Sequence, residues 1–501
     1  METVTSLKEE ISFLRNQLQQ KDSHIQTLEE KLNTFLHRRF GTSSEKISVD
    51  QLGLFDEVDE NDASSDLLDG EQQETVTVQS YQRKTKPRVS IPDDIPCEEI
   101  IYDLPEGQKI CPHDGAELKV IGSEDHKQLE IIPAKIYALI HKRLKYACPC
   151  CDQHIVTASK PKQPIEKSIA SPSLLAFVAT QKYADALPLY RQSEMFKRIG
   201  IELDRSNLAS WMVKTGELIQ PLINLLHEHI CQQPLIHMDE TTVQVLEEPG
   251  KPAQSKSYMW CMGHFKDKPA VIFDYDPSRS QSVPERLLNH EVKAIMTDAY
   301  QGYQTACDIY KITRLGCWAH ARRKFVDAQK LQKKGKTGKA DQALAFIQKL
   351  YALEKRIKDE PPDQRYEARQ KQAKPMTEKL KAWLDKSLLT VPPQSALGKA
   401  LAYLQNQWPR LIGYLNDGHY PIDNNAAERA IRPFTIGRKN WMFSKSQKGA
   451  KANANLYSLI ETAKANELNP YEYLMQIFKE LPNAQSIGDI ESLLPWNTEL
   501  V

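Results

Sequence analysis

Long hydrophobic runs are missing from this sequence. No stretch of about 18 apolar residues occurs, so there is no candidate for a membrane-spanning helix. The amino terminus carries a charged amphipathic pattern rather than a secretory leader, and a cytoplasmic, nucleoid-associated location is expected. Cysteine is scarce too. There are nine in 501 residues, four of them between Cys111 and Cys151, and a disulfide framework would be spread differently. A clustered set in a reducing compartment points to metal. Net charge is absent, with 66 Lys and Arg against 66 Asp and Glu. That balance conceals a segment, Ile47 to Gln82, with ten acids and no Lys or Arg, so the rest of the chain carries +10. Asymmetry of this kind hints at nucleic acid.

What is present begins with a seam. Val4, Ile11, Leu18, Ile25 and Leu32 occupy one heptad position and Leu7, Leu14, Leu28 and Phe35 the other, interrupted at Lys21. A strict 3.5-residue period, with β-branched residues at one position and Leu at the other, favours a parallel two-stranded coiled coil over a single amphipathic helix packed on its own chain. A homodimer or higher oligomer is expected. The basic turn Arg38–Lys46 ends the coil, and the acidic, aromatic-poor segment beyond it reads as a disordered linker.

Cys148 and Cys151 have the spacing with which two thiolates grip one zinc ion. Their partners are Cys111 and, three residues on, Asp114; His113 could replace Asp114, and Cys150 competes as a ligand. Buried free thiols are the alternative. A proline-containing linker then leads into a helical region, Ser173 to Cys231. There Leu189–Gly200 and Ser206–Lys214 suggest a helix-turn-helix, or else a plain helical spacer.

Pro234–Leu246 carries the chemistry. An apolar run rises to Asp239, and a second apolar run, Val292 to Thr297, rises to Asp298. Strand candidates are Leu235–Asp239, Thr242–Leu246, Tyr258–Phe265, Ala270–Tyr275, Ala294–Thr297 and Ile312–Leu315, with helices over Ser282–Leu288 and Gln301–Ile309. A meander followed by alternating strands and helices is the pattern of a ribonuclease H-like mixed sheet. A Lys-rich, strand-free region, Val326 to about Gln394, separates these runs from Glu428 and reads as a helical insertion. Asp239, Asp298 and Glu428 are three carboxylates on separate elements, the set needed to hold two Mg²⁺ (or Mn²⁺) ions about 3.5–4 Å apart over a phosphodiester. Asn424 or Asn425 can cap the helix of Glu428, and Pro433 predicts that this helix is short or restarts. His237 shares a strand face with Asp239, either supporting that acid or filling the core. Cys317 and His320 have metal-ligand spacing without a second pair nearby, so a strand-to-helix junction whose basic end meets phosphate is the preferred reading.

Arg429 to Ile460 contains no acid. Arg429, Arg432, Arg438, Lys439, Lys445 and Lys448 there, with Trp441 among them, suit a nucleic-acid backbone and a stacked base.

Assembled in this order, these pieces resemble the insertion-sequence 66 family of bacterial DDE transposases over nearly the whole chain. The resemblance rests on the zipper, Arg39-Phe-Gly, Ser44-Glu-Lys46, the cysteine module, Pro188-Leu-Tyr-Arg191, His237-Met-Asp-Glu-Thr241, Thr297-Asp-Ala-Tyr-Gln-Gly-Tyr303, Cys317-Trp-Ala-His-Ala-Arg-Arg-Lys-Phe325 and Ile422–Pro433. It implies that Asp239, Asp298 and Glu428 are the catalytic triad. It also implies DNA substrates (terminal inverted repeats and target DNA), accessory proteins of the same element, and strand transfer after end cleavage. Asp114, where a cysteine is expected, departs from the pattern. The competing readings are a structure-specific nuclease on the same fold and a non-catalytic zinc-containing DNA-binding regulator. The expected organisation is a multidomain α+β chain: coiled coil 1–40, acidic linker 41–95, zinc module 96–160, helix-turn-helix-like region 161–232, catalytic core 233–325, helical insertion 326–404, second core part 405–465 and C-terminal tail 466–501.

Overall fold

The computed structural model describes residues 136–147, 155–331 and 338–498, with nine positions between Glu10 and Leu32. Those nine are helical, and Leu14, Leu18, Ile25, Leu28 and Leu32 among them are exposed. The acidic linker and the zinc candidates Cys111, His113, Asp114, Cys148, Cys150 and Cys151 lie outside the described residues. The chain divides into two units, residues 60–160 and the remainder. In the smaller unit, strands β1 (Lys145–Ala147) and β2 (Ile155–Thr157) pair antiparallel. Arg143 Nε donates to the Ala158 carbonyl at 2.7 Å beside them.

The larger unit begins with four helices: α1 (Pro172–Tyr183), α2 (Leu189–Arg198), α3 (Arg205–Leu218) and α4 (Gln220–Cys231). Ser171 Oγ accepts the Leu174 N–H and so caps α1. Beyond α2 the chain turns at Gly200, whose φ of +81° suits a residue without Cβ.

The sheet follows as the strand pattern predicted. It comprises β3 (Leu235–Glu247), β4 (Lys256–His264), β5 (Ala270–Asp276), β6 (Ala294–Thr297) and β7 (Thr313–Gly316), in the order β5-β4-β3-β6-β7. Helices α5 (Ser282–Leu287) and α6 (Gly302–Tyr310) connect its second half. β3, β4 and β5 are antiparallel, whereas β6 and β7 run parallel to β3. The two sequence-predicted runs around Asp239 fuse into one strand, because Glu240, Thr241 and Thr242 stay in register with Trp260, Met259 and Tyr258 of β4. Their polar side chains find partners, so the polarity does not break the ladder.

Among the described residues the insertion is wholly helical: α7 (Trp318–Lys330), α8 (Lys339–Arg356), α9 (Pro362–Ala368), a π-helical segment (Arg369–Ala373), α10 (Lys374–Leu388) and α11 (Ala396–Leu411). It has its own core around Trp318, Phe325, Ile347, Leu380 and Leu401. Arg369 is fully buried there. It grips the Glu354 carboxylate with two bonds of 2.9 and 2.6 Å and donates to the carbonyls of Tyr414, Asp417 and Tyr420. A buried guanidinium satisfied on every side ties the insertion to the segment leading toward Glu428.

That segment enters α12 (Asn425–Trp441), then β8 (Ser444–Ser446) beside the far half of β3, then α13 (Gln447–Ala465), α14 (Pro470–Glu480) and α15 (Ile487–Glu491). The expectation of a short or restarting helix at Pro433 is corrected: α12 runs straight through it. Ala427, Ala430, Ile431 and Phe434 form a buried stripe continuous across the proline. Burying Ile431 and Phe434 contributes about 1.5–3 kcal/mol each, enough to offset the roughly 3 kcal/mol that proline costs inside a helix. Within the segment expected as a C-terminal tail, Tyr473, Leu474, Ile477 and Phe478 of α14 are buried.

Candidate active site

The pairing of β3 with β6 runs to His237 opposite Met296, and Asp239 and Asp298 each follow two residues further along the chain. Neighbouring strands lie about 4.8 Å apart, and the Asp298 charge reaches Asp239. Asp298 is the first residue beyond β6, and its Oδ1 accepts the Tyr300 N–H at 2.8 Å, holding the turn. Glu428 sits in the first turn of α12. Its charge, with those of Glu240 and Asp298, adds to burial in raising the Asp239 carboxyl well above the usual carboxylate range. Asp298 and Glu428 thus fall within electrostatic reach of Asp239, whose surroundings penalise its negative charge. Carboxylate oxygens are the donors a hard divalent cation such as Mg²⁺ or Mn²⁺ takes, although among the described residues these three acids do not form a group with ligand atoms all within 4.8 Å of one another.

One hydrogen bond explains why α12 meets β3 here. His237 Nδ1 lies 2.9 Å from Asn424 Oδ1, and Asn424 Nδ2 donates to the Met238 carbonyl at 2.8 Å. Asn424 therefore stands at the N-cap of α12 without capping it; its side chain is spent on the strand. The Asn425 N–H and side-chain amide are received by Asp423 at 3.1 and 3.0 Å. His237 is buried, which lowers its pKa to about 4, so the ring is neutral.

Several site residues were not singled out from the sequence. The Glu240 side chain is only 1% exposed and accepts from Arg279 Nε at 2.7 Å and from the Tyr303 hydroxyl at 2.5 Å. Burial, then the Asp298 charge, raises its pKa, while Tyr303 and Arg279 pull the other way. Arg279 Nη2 also stands 3.7 Å from Asp298 Oδ2, bridging the two acids. Arg314 of β7 is buried and donates to Thr297 Oγ1 (3.1 Å) and to the carbonyls of Asp298 (3.0 Å) and Tyr300 (2.6 Å). A charged residue inside a four-residue buried strand was the signal that could have found it. Opposite Glu428 stand Arg323 (Nη2 to Oε2, 3.3 Å) and His320 (Nδ1 to Oε1, 3.5 Å).

The basic stretch divides in two. Arg429, Arg432, Lys439, Lys445 and Lys448 are exposed. Arg438 instead donates to Thr241 Oγ1 (3.0 Å) and to the Thr242 carbonyl of β3. Trp441 is half-buried with its ring edge-on to Phe434 at 5.6 Å.

Residues 167–452, more than half of the chain, match the model of the Transposase IS66 family, a class of DNA-processing proteins. Residues 458–496 match the IS66 C-terminal element, 108–152 the zinc-finger binding domain of transposase IS66, and 27–100 the model described as Transposase C of IS166 homeodomain. The chain belongs to the IS66 transposase family. It is 31% identical over 451 residues to uncharacterized protein y4jD of Sinorhizobium fredii (strain NBRC 101917 / NGR234), covering 87% of this chain and 86% of that one. To uncharacterized protein y4qI of the same organism it is 31% identical over 396 residues, covering 76% and 72%. Among the described residues no helix is long and apolar enough to cross a membrane.

Proposed function

We propose that this chain is the DDE transposase of an insertion sequence, which binds the terminal inverted repeats, cleaves at the element's end and joins the freed 3′-hydroxyl to target DNA. The observation that supports the reading is the pairing of β3 with β6, which ends two residues before Asp239 and Asp298, together with the charges of Glu428 and Asp298 that reach Asp239. The strand order β5-β4-β3-β6-β7 supports a ribonuclease H-like core interrupted by the helical insertion. Asp239, Asp298 and Glu428 would hold Mg²⁺ or Mn²⁺. When bound, a pair of such ions activates the attacking water or hydroxyl and stabilises the leaving 3′-oxygen.

The chain's own residues then position the DNA. Arg429, Arg432, Lys439 and Lys448 present exposed cations along and beyond α12, where they neutralise phosphates flanking the scissile bond. Arg314 pins the backbone of the Asp298 turn. The His237–Asn424 bond fixes the entry of α12 to the strand of Asp239. No protein nucleophile is needed. The exposed leucines of the amino-terminal helix support a coiled-coil dimer. The matched zinc-finger segment supports a zinc module built on Cys111, Asp114, Cys148 and Cys151.

A strand-transfer assay with a pre-cleaved end, with Mg²⁺ and with chelator, tests the proposal. Joined product that vanishes in Asp239→Asn, Asp298→Asn and Glu428→Gln is expected, each loss being at least about a thousandfold if several kcal/mol of charge stabilisation goes. Nicked product without joining would make the chain a nuclease. DNA binding without any acid-dependent chemistry would make it a regulator.

A further inference from the structure

Glu428 belongs to a second donor set, different in chemistry from the first. Cys317, His320 and Glu428 offer a sulfur, a ring nitrogen and a carboxylate oxygen that all lie within 4.8 Å of one another. Cys317 is the N-cap of α7 and His320 stands one turn along, so a three-residue spacing turns both side chains to one side. Glu428 reaches them from the first turn of α12.

One feature besides the spacing argues that these groups await a ligand. His320 Nδ1 and Glu428 Oε1 are enclosed, and neither has a hydrogen-bond partner, although they are 3.5 Å apart. Enclosed polar atoms normally find partners, and these two have none. Cys317 Sγ accepts the Asn424 N–H at 3.2 Å and a second backbone N–H, that of His320. Burial, then the charges of Asp423 and Glu428, hold the Cys317 thiol well above its ordinary pKa and outweigh these two N–H groups, so it is a bound cation that would take the proton off.

We propose that Cys317, His320 and Glu428 form a site for one thiophilic divalent cation of the zinc class, distinct from the all-oxygen pocket of Asp239 and Asp298. Sulfur, imidazole and carboxylate are the ligands such an ion takes, and three of them leave its fourth tetrahedral position open. Bonds of about 2.0–2.3 Å imply ligand atoms about 3.3–3.8 Å apart, so side-chain adjustments of about 1 Å close the trio. Binding removes the Cys317 thiol proton to solvent, one per ion, so affinity rises with pH. Because Glu428 is shared, occupancy locks that carboxylate to the β7–α7 junction and sets which way it faces.

The test uses the full-length chain, metal-stripped and then equilibrated with Zn²⁺ or Co²⁺ alone, without DNA. Wild type should retain about one more zinc ion per chain than His320→Gln, with circular dichroism checking that the variant is folded. Cys317→Ser should lose part of the near-ultraviolet thiolate-to-cobalt absorption. The cysteine-rich module contributes equally to all variants and cancels. Equal zinc content in wild type and folded His320→Gln overturns the proposal, whatever Cys317→Ser does. Asp239→Asn should keep the wild-type zinc content while losing any strand transfer. If its zinc falls instead, the ion belongs to the oxygen pocket and the trio is no site.

Discussion

His237 and Asn424, 187 residues apart in sequence, meet side chain to side chain at 2.9 Å inside the protein. Through this contact the strand that carries Asp239 is held to the helix that carries Glu428. Asn424→Ala should therefore do two things at once. It leaves the ring of His237 unsatisfied, costing about 1–3 kcal/mol in urea unfolding. It also loosens Glu428, so Mg²⁺-dependent cleavage should fall more than the stability loss explains at a temperature where the variant is fully folded. Cleavage at the wild-type rate would show that the contact holds the fold and nothing else.

The same histidine makes stability depend on pH. Its folded-state pKa is about 4, below the ordinary value of 6.5. The unfolded chain therefore binds the proton first, and stability present above pH 6.5 is lost as pH falls toward 4. His237→Gln, which cannot charge, should flatten this part of the stability profile. An unchanged slope would assign it to other groups.

Asp239 shows the opposite sign. Its folded pKa is raised, so metal-free protein loses stability as pH rises from the unfolded carboxylate value toward and through the folded one. Asp239→Asn removes the repulsion and should raise the melting temperature of metal-free protein at neutral pH while abolishing catalysis. Added Mg²⁺ or Mn²⁺ should then raise the melting temperature of wild type and not of the variant. A variant that melts lower without metal would contradict the proposed crowding of charge.

Arg279 is the cation between Glu240 and Asp298. Arg279→Met leaves the buried Glu240 carboxylate unpaired and should destabilise by about 2 kcal/mol, a loss largely restored by Glu240→Gln in the same chain. With the guanidinium gone from Asp298, Mn²⁺ binding to the double variant should tighten severalfold by calorimetry. Weaker binding would mean that Arg279 orients Asp298 for the ion.

Pro433 sits inside α12 with no N–H to give. Pro433→Ala should stabilise the protein by roughly 1–3 kcal/mol in denaturant unfolding. If it destabilises instead, the proline ring itself supplies packing that the alanine methyl cannot.

Much of the sheet was legible in the chain, because strand signals are local. Ala294–Thr297 falls at its predicted bounds, and β4, β5 and β7 end within two residues of theirs. The family motif marked Asp239, Asp298 and Glu428 because each stands in a distinctive neighbourhood. What the chain order could not show was the set of partners. Whether Arg438 faces a phosphate or Thr241, whether Asn424 caps a helix or binds a strand, and whether Glu428 has Cys317 and His320 for neighbours all depend on residues scores of positions away. The continuity of α12 through Pro433 is of the same kind, since the local penalty was readable and the burial outweighing it was not. Amino-acid pattern by itself determined where most of the strands form, because those preferences act over a few neighbouring residues. Only tertiary packing decided which charges are neutralised, which are crowded and which atoms are left without a partner, because electrostatic and hydrogen-bond energies follow distance through space.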